Sequence, residues 1–147
     1  MLHATLIELA GVGILLTGKS GSGKSDLALR LIENKGAVLV ADDVVEVECA
    51  GGKIYGCAPT AIAGMLEVRG IGIVKYPYYK RAEVRLVIHL VDKSEDVERM
   101  PKVHTVTILG LEIKQIDLYA KENSAPDKVM AAARLFVDGF REIQKKC

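Results

Sequence analysis

Eight consecutive residues, Gly18-Lys19-Ser20-Gly21-Ser22-Gly23-Lys24-Ser25, spell the pattern G-x-x-x-x-G-K-S. Glycines at this spacing let the backbone curl with its N–H groups pointing inward. Those donors and the positive end of a following helix then meet phosphate oxygens. In such a loop the ammonium of Lys24 bridges the β- and γ-phosphates and the Ser25 hydroxyl ligates Mg²⁺. The pattern has this meaning only between a strand and a helix, and both flanks are present. Gly13-Ile14-Leu15-Leu16-Thr17 is an apolar β-type run, and Lys24 to about Asn34 places Leu27, Leu31 and Ile32 on one helical face with Gly36 just past the end. A nucleoside triphosphate or a close relative is the ligand this segment predicts.

Other residues could supply the remaining chemistry. Val38-Leu39-Val40-Ala41 is an apolar strand that ends in Asp42-Asp43, where a nucleotide-hydrolysing or phosphoryl-transferring fold places a metal-linked or base carboxylate. Neighbouring residues on a strand face opposite ways, so one of the two aspartates points at phosphate and the other caps the turn or is solvated. Glu67 and Arg69, two apart before Gly70 and Gly72, share a face and could serve metal and phosphate or form a cross-strand ion pair. By position alone His3 and Arg99 are surface charges, and His89 and His104 are strand residues without a chemical duty. Tyr76-Pro77-Tyr78-Tyr79-Lys80-Arg81 concentrates aromatic and basic groups in a contacting loop or against the core.

These residues need a scaffold, and the composition bounds it. The chain has 147 residues, 50% of them apolar and 27% charged, with a net charge of +1. That suits one domain, residues 1–147, with one core, and excludes long disorder and charge-driven nucleic-acid binding. The longest apolar stretch, around Val12–Leu16, is far short of the about 20 residues a membrane span needs. Met1-Leu2-His3 has no basic region leading into an apolar run, so no secretion signal is expected. Cys49, Cys57 and Cys147 are odd in number and lack C-x-x-C spacing, which argues against a disulfide framework or zinc cluster and for a reduced, cytoplasmic chain.

Strand-type runs are expected at Thr5–Leu9, Gly13–Thr17, Ala37–Ala41, Val44–Cys49 and Lys53–Tyr55. Further runs fall at Leu66–Val68, Gly72–Lys75, Val84–Leu90, Val103–Leu109 and Leu111–Ile116, with turns at Ala50-Gly51-Gly52 and Gly110. A second helix opens at Ser124-Ala125-Pro126-Asp127 and continues through Val129, Ala132, Ala133, Phe136, Val137, Phe140 and Ile143 at helical spacing. A short helical piece is expected around Thr60–Met65. Hairpin-spaced strands outnumber helices, which predicts an α/β domain with a mixed, largely antiparallel sheet.

Together these residues resemble the catalytic domain of HPr kinase/phosphorylase, the bacterial enzyme that phosphorylates a serine of the phosphocarrier HPr. His3 lies fifteen residues before Gly18, the phosphate loop and Val-Ala-Asp-Asp follow, and then comes Tyr55-Gly56-Cys57-Ala58-Pro59. Leu66-Glu67-Val68-Arg69-Gly70-Ile71-Gly72 is similar to the family pattern Leu-Glu-Ile/Val-Arg-Gly-x-Gly, which is far more specific than the phosphate loop. Ile108-Leu109-Gly110-Leu111-Glu112-Ile113 matches a family strand pair.

The resemblance implies a phosphate-loop domain like that of phosphoenolpyruvate carboxykinase, with ATP and Mg²⁺ as nucleotide and metal. It further implies that Lys24 binds phosphate, that Ser25 and Glu67 hold Mg²⁺, that Asp42 is the base on the serine hydroxyl, and that His3 and Arg99 support transfer. HPr or its nitrogen-system paralogue is the implied partner, and a homo-oligomer, hexameric in that family, the implied assembly. The resemblance is to the short alphaproteobacterial versions, so no separate N-terminal domain is expected before the phosphate loop.

The Gly/Ala-rich loop that usually follows the family pattern is replaced by Lys75-Tyr76-Pro77-Tyr78-Tyr79. The family segment Val-Arg-Pro-Gly-Arg-Asn is replaced by Leu118-Tyr119-Ala120-Lys121-Glu122-Asn123. Losing those arginines removes bidentate phosphate contacts, so the resemblance extends to kinase activity and leaves the reverse phosphorylase activity open. The alternatives are an ATP-binding regulator with reduced catalysis and a small-molecule kinase; the second leaves Glu67–Gly72 unexplained.

Overall fold

A computed structural model describes residues 1–102 and 104–137. Phe140, Ile143, Cys147 and the first residue of the expected Val103–Leu109 strand lie outside the described residues. In chain order the strands are β1 (Leu2–His3), β2 (Thr5–Leu9), β3 (Val12–Thr17), β4 (Val38–Ala41), β5 (Val44–Ala50) and β6 (Lys53–Cys57). They continue with β7 (Met65–Val68), β8 (Gly72–Lys75), β9 (Ala82–Leu90), β10 (His104–Ile108) and β11 (Leu111–Leu118). The helices are α1 (Lys24–Lys35) and α2 (Ala125–Phe136).

The main sheet runs β1-β5-β6-β9-β3-β2-β4, and β11, carrying β10, joins β9 as well. At nine residues β9 is long enough to be shared. Its start pairs with β6 through Tyr55↔Glu83 and Gly56↔Ala82, and its end pairs with β11 from Gln115↔Val87 to Leu118↔Leu90. Its other edge pairs with β3 throughout. Only the pairings of β9 with β3 and with β11 are parallel, so the sheet is mixed and largely antiparallel as expected.

Hairpins β2–β3, β5–β6 and β10–β11 each close on a two-residue turn with both φ positive: Ala10-Gly11, Gly51-Gly52 and Leu109-Gly110. The backbone twist of that turn matches the twist of the strands it joins. The first was not legible as a turn, because Ala10 carries no turn preference. Strands β7 and β8 form a separate hairpin, and the expected helical piece is a single 3₁₀ turn at Thr60–Ile62. Two-residue β1 escapes any periodicity argument; it exists because Leu2 and His3 pair with Val45 and Val44.

Alternation along each strand divides the core between the two sheet faces. Ile14, Leu16, Leu86 and Ile88 face α1 and α2, where they meet Leu27, Leu31, Val129 and Ala133. Leu15, Val84 and Val87 face the other way, toward Leu6, Val45 and Ile54. Each fully buried leucine contributes roughly 1.5–3 kcal/mol, so both helices are held by packing rather than by propensity. Helix α1 ends on Gly36 at φ 73, as the sequence predicts. The Tyr76–Arg81 segment is tied to the domain: the Tyr76 hydroxyl donates to Glu33 (3.0 Å), the Tyr79 N–H donates to Leu39 O (3.0 Å), and Arg81 lies 3.8 Å from the Tyr55 ring centroid. No helix among the described residues is long and apolar enough to cross a membrane.

A Cβ on Gly13 would collide with the backbone carbonyl of Glu83 on the adjacent β9, where the pairing register shifts. Gly13→Ala should therefore cost about 1–3 kcal/mol or more, read as a lowered urea midpoint. On β2, burial pushes the Glu8 carboxyl up from its ordinary range. The folded state then holds a proton more tightly than the unfolded one. The associated stability is fully present below the unfolded pKa and is lost as pH rises through the raised folded value. Glu8→Gln should melt above the wild type at neutral pH, and the difference should vanish near about pH 4.

Candidate functional site

The phosphate loop leaves β3 at Thr17 and enters α1 at Lys24. Gly18 has φ 145, and a Cβ there would stand 2.7 Å from Ser22 Oγ and 2.9 Å from the Leu90 carbonyl, so only glycine fits where the loop crosses the end of β9. Gly23 caps α1 at φ 100 and accepts from the Leu27 N–H at 2.9 Å, while Ser22 N–H donates to Lys19 O at 3.0 Å. Lys24 Nζ folds over the loop, donating to the carbonyls of Gly18 (2.8 Å) and Lys19 (3.0 Å).

Behind the loop, Asp42 is buried at 6% exposure. Its Oδ1 accepts from Ser25 Oγ at 2.7 Å and from Thr5 Oγ1 at 2.9 Å, and its Oδ2 accepts from the Glu67 N–H at 3.4 Å. One carboxylate thus joins β2, the start of α1 and β7. Asp43 points elsewhere. The chain reverses between β4 and β5 with Asp43 at φ 69, Val44 N–H donating to Asp42 O (2.8 Å) and Ala4 N–H to Asp43 O (3.2 Å).

A cleft of about 730 Å³ opens in front of the loop. Gly18, Ser20, Gly21, Gly23, Lys24 and Ser25 form one wall. His3, Asp43, Glu67 and Arg69 face it from β1, the β4–β5 reversal and the β7–β8 hairpin, joined by Lys121 from the loop before α2. Cations suited to phosphate and carboxylates suited to metal or proton thus share one space.

Several expected residues do not line the cleft. Asp42 is held behind Ser25 while Asp43 lines the cleft, because the left-handed backbone at Asp43 turns the second carboxylate outward. Arg99 is exposed in the segment after the Ser94–Asp96 turn and does not line the cleft. Lys19 pairs with Asp92 at 3.3 Å on the surface, and Ser22 is buried inside the loop. Gly70 lies with Arg69 in the β7–β8 turn, which Ile71 N–H closes on Val68 O at 3.0 Å, and Gly72 begins β8. Thr5 and Lys121 escaped the sequence reading. A lone hydroxyl in an apolar strand signals Thr5, whereas nothing local distinguishes Lys121 from a solvated lysine.

The site's donors suit Mg²⁺. This ion prefers hard oxygen ligands, keeps several waters, and is held by one or two carboxylates together with substrate phosphates. Ser25 Oγ, fixed from behind by Asp42, and the Glu67 carboxylate are such a partial set facing one cleft.

Comparison with known proteins agrees with this geometry. The family model described as HPr Serine kinase C-terminal domain matches residues 1–137. An HPr kinase/phosphorylase of Clostridium tetani is 44% identical over 108 residues, covering 67% of this chain and 35% of its own length. That of Malacoplasma penetrans is 31% identical over 169 residues, covering 99% of this chain and 54% of its own. The chain thus spans about a third to a half of the length of these relatives. The solved Hpr(Ser) kinase/phosphatase from Coxiella burnetii superposes with a TM-score of 0.79 at 28% identity, covering 99% of this chain and 98% of that one. A phosphate loop, a carboxylate behind its serine and a family match over residues 1–137 lead to one assignment: the chain belongs to the HPr serine kinase C-terminal domain family.

Proposed function

We propose that this chain transfers the γ-phosphoryl group of ATP to a serine hydroxyl of an HPr-type phosphocarrier, either HPr or its nitrogen-system paralogue. The observation that carries this reading is the convergence of Asp43 with Lys24, Ser25 and Glu67 on one cleft. A nucleotide-binding regulator would need the loop but not an outward carboxylate beside it. A homo-oligomeric, cytoplasmic protein belongs to the same reading, on the family resemblance.

The loop N–H groups and the start of α1 receive the phosphate tail, and Lys24 exchanges its loop carbonyls for β- and γ-oxygens. Ser25 and Glu67 would hold Mg²⁺, which when bound neutralises charge on those phosphates. Asp43 takes the proton of the acceptor serine as its oxygen bonds to the γ-phosphorus and the bridging oxygen to the β-phosphate departs with ADP. We assign the base to Asp43 rather than Asp42, because Asp42 already has Thr5, Ser25 and the Glu67 N–H as donors. Arg69 and His3 add positive or proton-donating groups at the cleft wall; Arg99, outside the cleft, takes no part in this account.

Asp43→Asn should lower phosphoserine formation by about 10²–10⁴-fold with Mg-ATP affinity unchanged, followed by intact mass of a purified carrier. Asp42→Asn should act through Ser25 instead and weaken Mg-ATP binding. Full transfer in Asp43→Asn would return the base to another residue, and no phosphoserine on either carrier with the wild-type protein would end the kinase reading. Lys24→Ala should abolish detectable nucleotide binding in a calorimetric titration.

A further inference from the structure

The loop between β11 and α2, residues 119–124, brings Lys121 to the cleft, and one arginine sets the course of that loop. Arg30, on α1, donates from Nη2 to the carbonyl of Ala120 and from Nη1 to the carbonyl of Glu122 at 3.2 Å. Both carbonyls that flank Lys121 in sequence are therefore gripped by a single guanidinium. The Glu122 carbonyl also accepts from the Ala125 N–H at 3.2 Å, and the Glu122 carboxylate pairs with Lys128, which fixes the loop from the helix side. Ala120 is fully buried and lies against Gly23, only 3.3 Å from where a Cβ on that glycine would stand. Loop and phosphate cradle are neighbours with no slack between them.

Arg30 is itself held, with Nε 3.2 Å from the Asp26 carboxylate and a side chain only 25% exposed. The two Nη groups of one planar guanidinium reach both carbonyls in a fixed fork geometry that a single-point ammonium does not share. Lys121, by contrast, lines the cleft and forms no hydrogen bond or ion pair with the other described residues. A cation on a braced loop, beside a phosphate cradle and without a partner among the described residues, is placed to meet an anion.

We infer that Lys121 is a further contact to the phosphate tail of the nucleotide and that Arg30 is the positioning residue that holds it there. This rests on the reading of the cleft as a phosphoryl-transfer site. The contact forms between the ammonium N–H groups and phosphate oxygens, a charge-assisted hydrogen bond of the stronger kind.

The test is binding without any acceptor protein, by calorimetric titration with Mg-ATP and with inorganic triphosphate, which shares the tail but has no base or ribose. Lys121→Gln should weaken both ligands by about tenfold, and Lys121→Arg should restore most of the loss. Equal affinity in Lys121→Gln overturns the contact, and a loss confined to ATP moves it to the base or ribose and overturns the phosphate assignment. Arg30→Lys should weaken Mg-ATP binding in the wild-type background and add nothing in the Lys121→Gln background, the coupling expected of a residue that acts through another. Additive losses overturn the positioning role. If the wild type binds neither ligand, the functional reading falls with the inference; if it binds both and Lys121→Gln is unaffected, only the inference falls.

Discussion

The carboxylate of Asp42 is the junction on which the site is built. It takes a hydroxyl from β2, a hydroxyl from the first turn of α1 and a backbone N–H from β7, so three elements distant in sequence meet at two oxygen atoms. A buried carboxylate is expensive unless its lone pairs are filled, and these donors fill them. The same bonds aim Ser25 at the cleft and bring the start of the Glu67-Val68-Arg69 segment beside it. Removing that carboxylate would leave two hydroxyls and a backbone N–H without their acceptor and free three elements at once.

From that junction the division of labour between neighbouring aspartates follows. One carboxylate is used up in holding the site together, and its neighbour faces the cleft. The left-handed backbone at Asp43 makes this possible, since a regular strand would have sent the second side chain into the opposite face of the sheet. A non-glycine residue in this conformation carries strain, and strain of that kind gathers where a site needs a side chain aimed against the local geometry.

The sheet supplies the rigidity. Because β9 takes β3 on one edge and both β6 and β11 on the other, the phosphate loop, the loop carrying Lys121 and the hairpin-rich half of the domain share one central strand. The loop after β3 and the loop after β11 emerge at the same end of parallel neighbours. Arg30 on α1 then bridges one to the other. The cleft is thus bounded by elements fixed to a common support.

Much of this was legible in the sequence, for local reasons. The phosphate loop, α1 with its glycine stop, the start of α2 and most strands follow from periodicity, capping and turn chemistry, which act over a few residues. The run Leu66–Gly72 identified the family because its residue types are specific at fixed spacing. What periodicity could not decide was which of two adjacent aspartates lines the cleft, since that turns on the left-handed backbone at Asp43. It could not tell that Lys121 lines the cleft and Arg99 does not, because a surface cation has the same local pattern whether its loop folds toward the cleft or away from it. Those choices belong to contacts between residues far apart in the chain, Arg30 with Ala120 and Thr5 with Asp42, and only the tertiary structure brings such partners together.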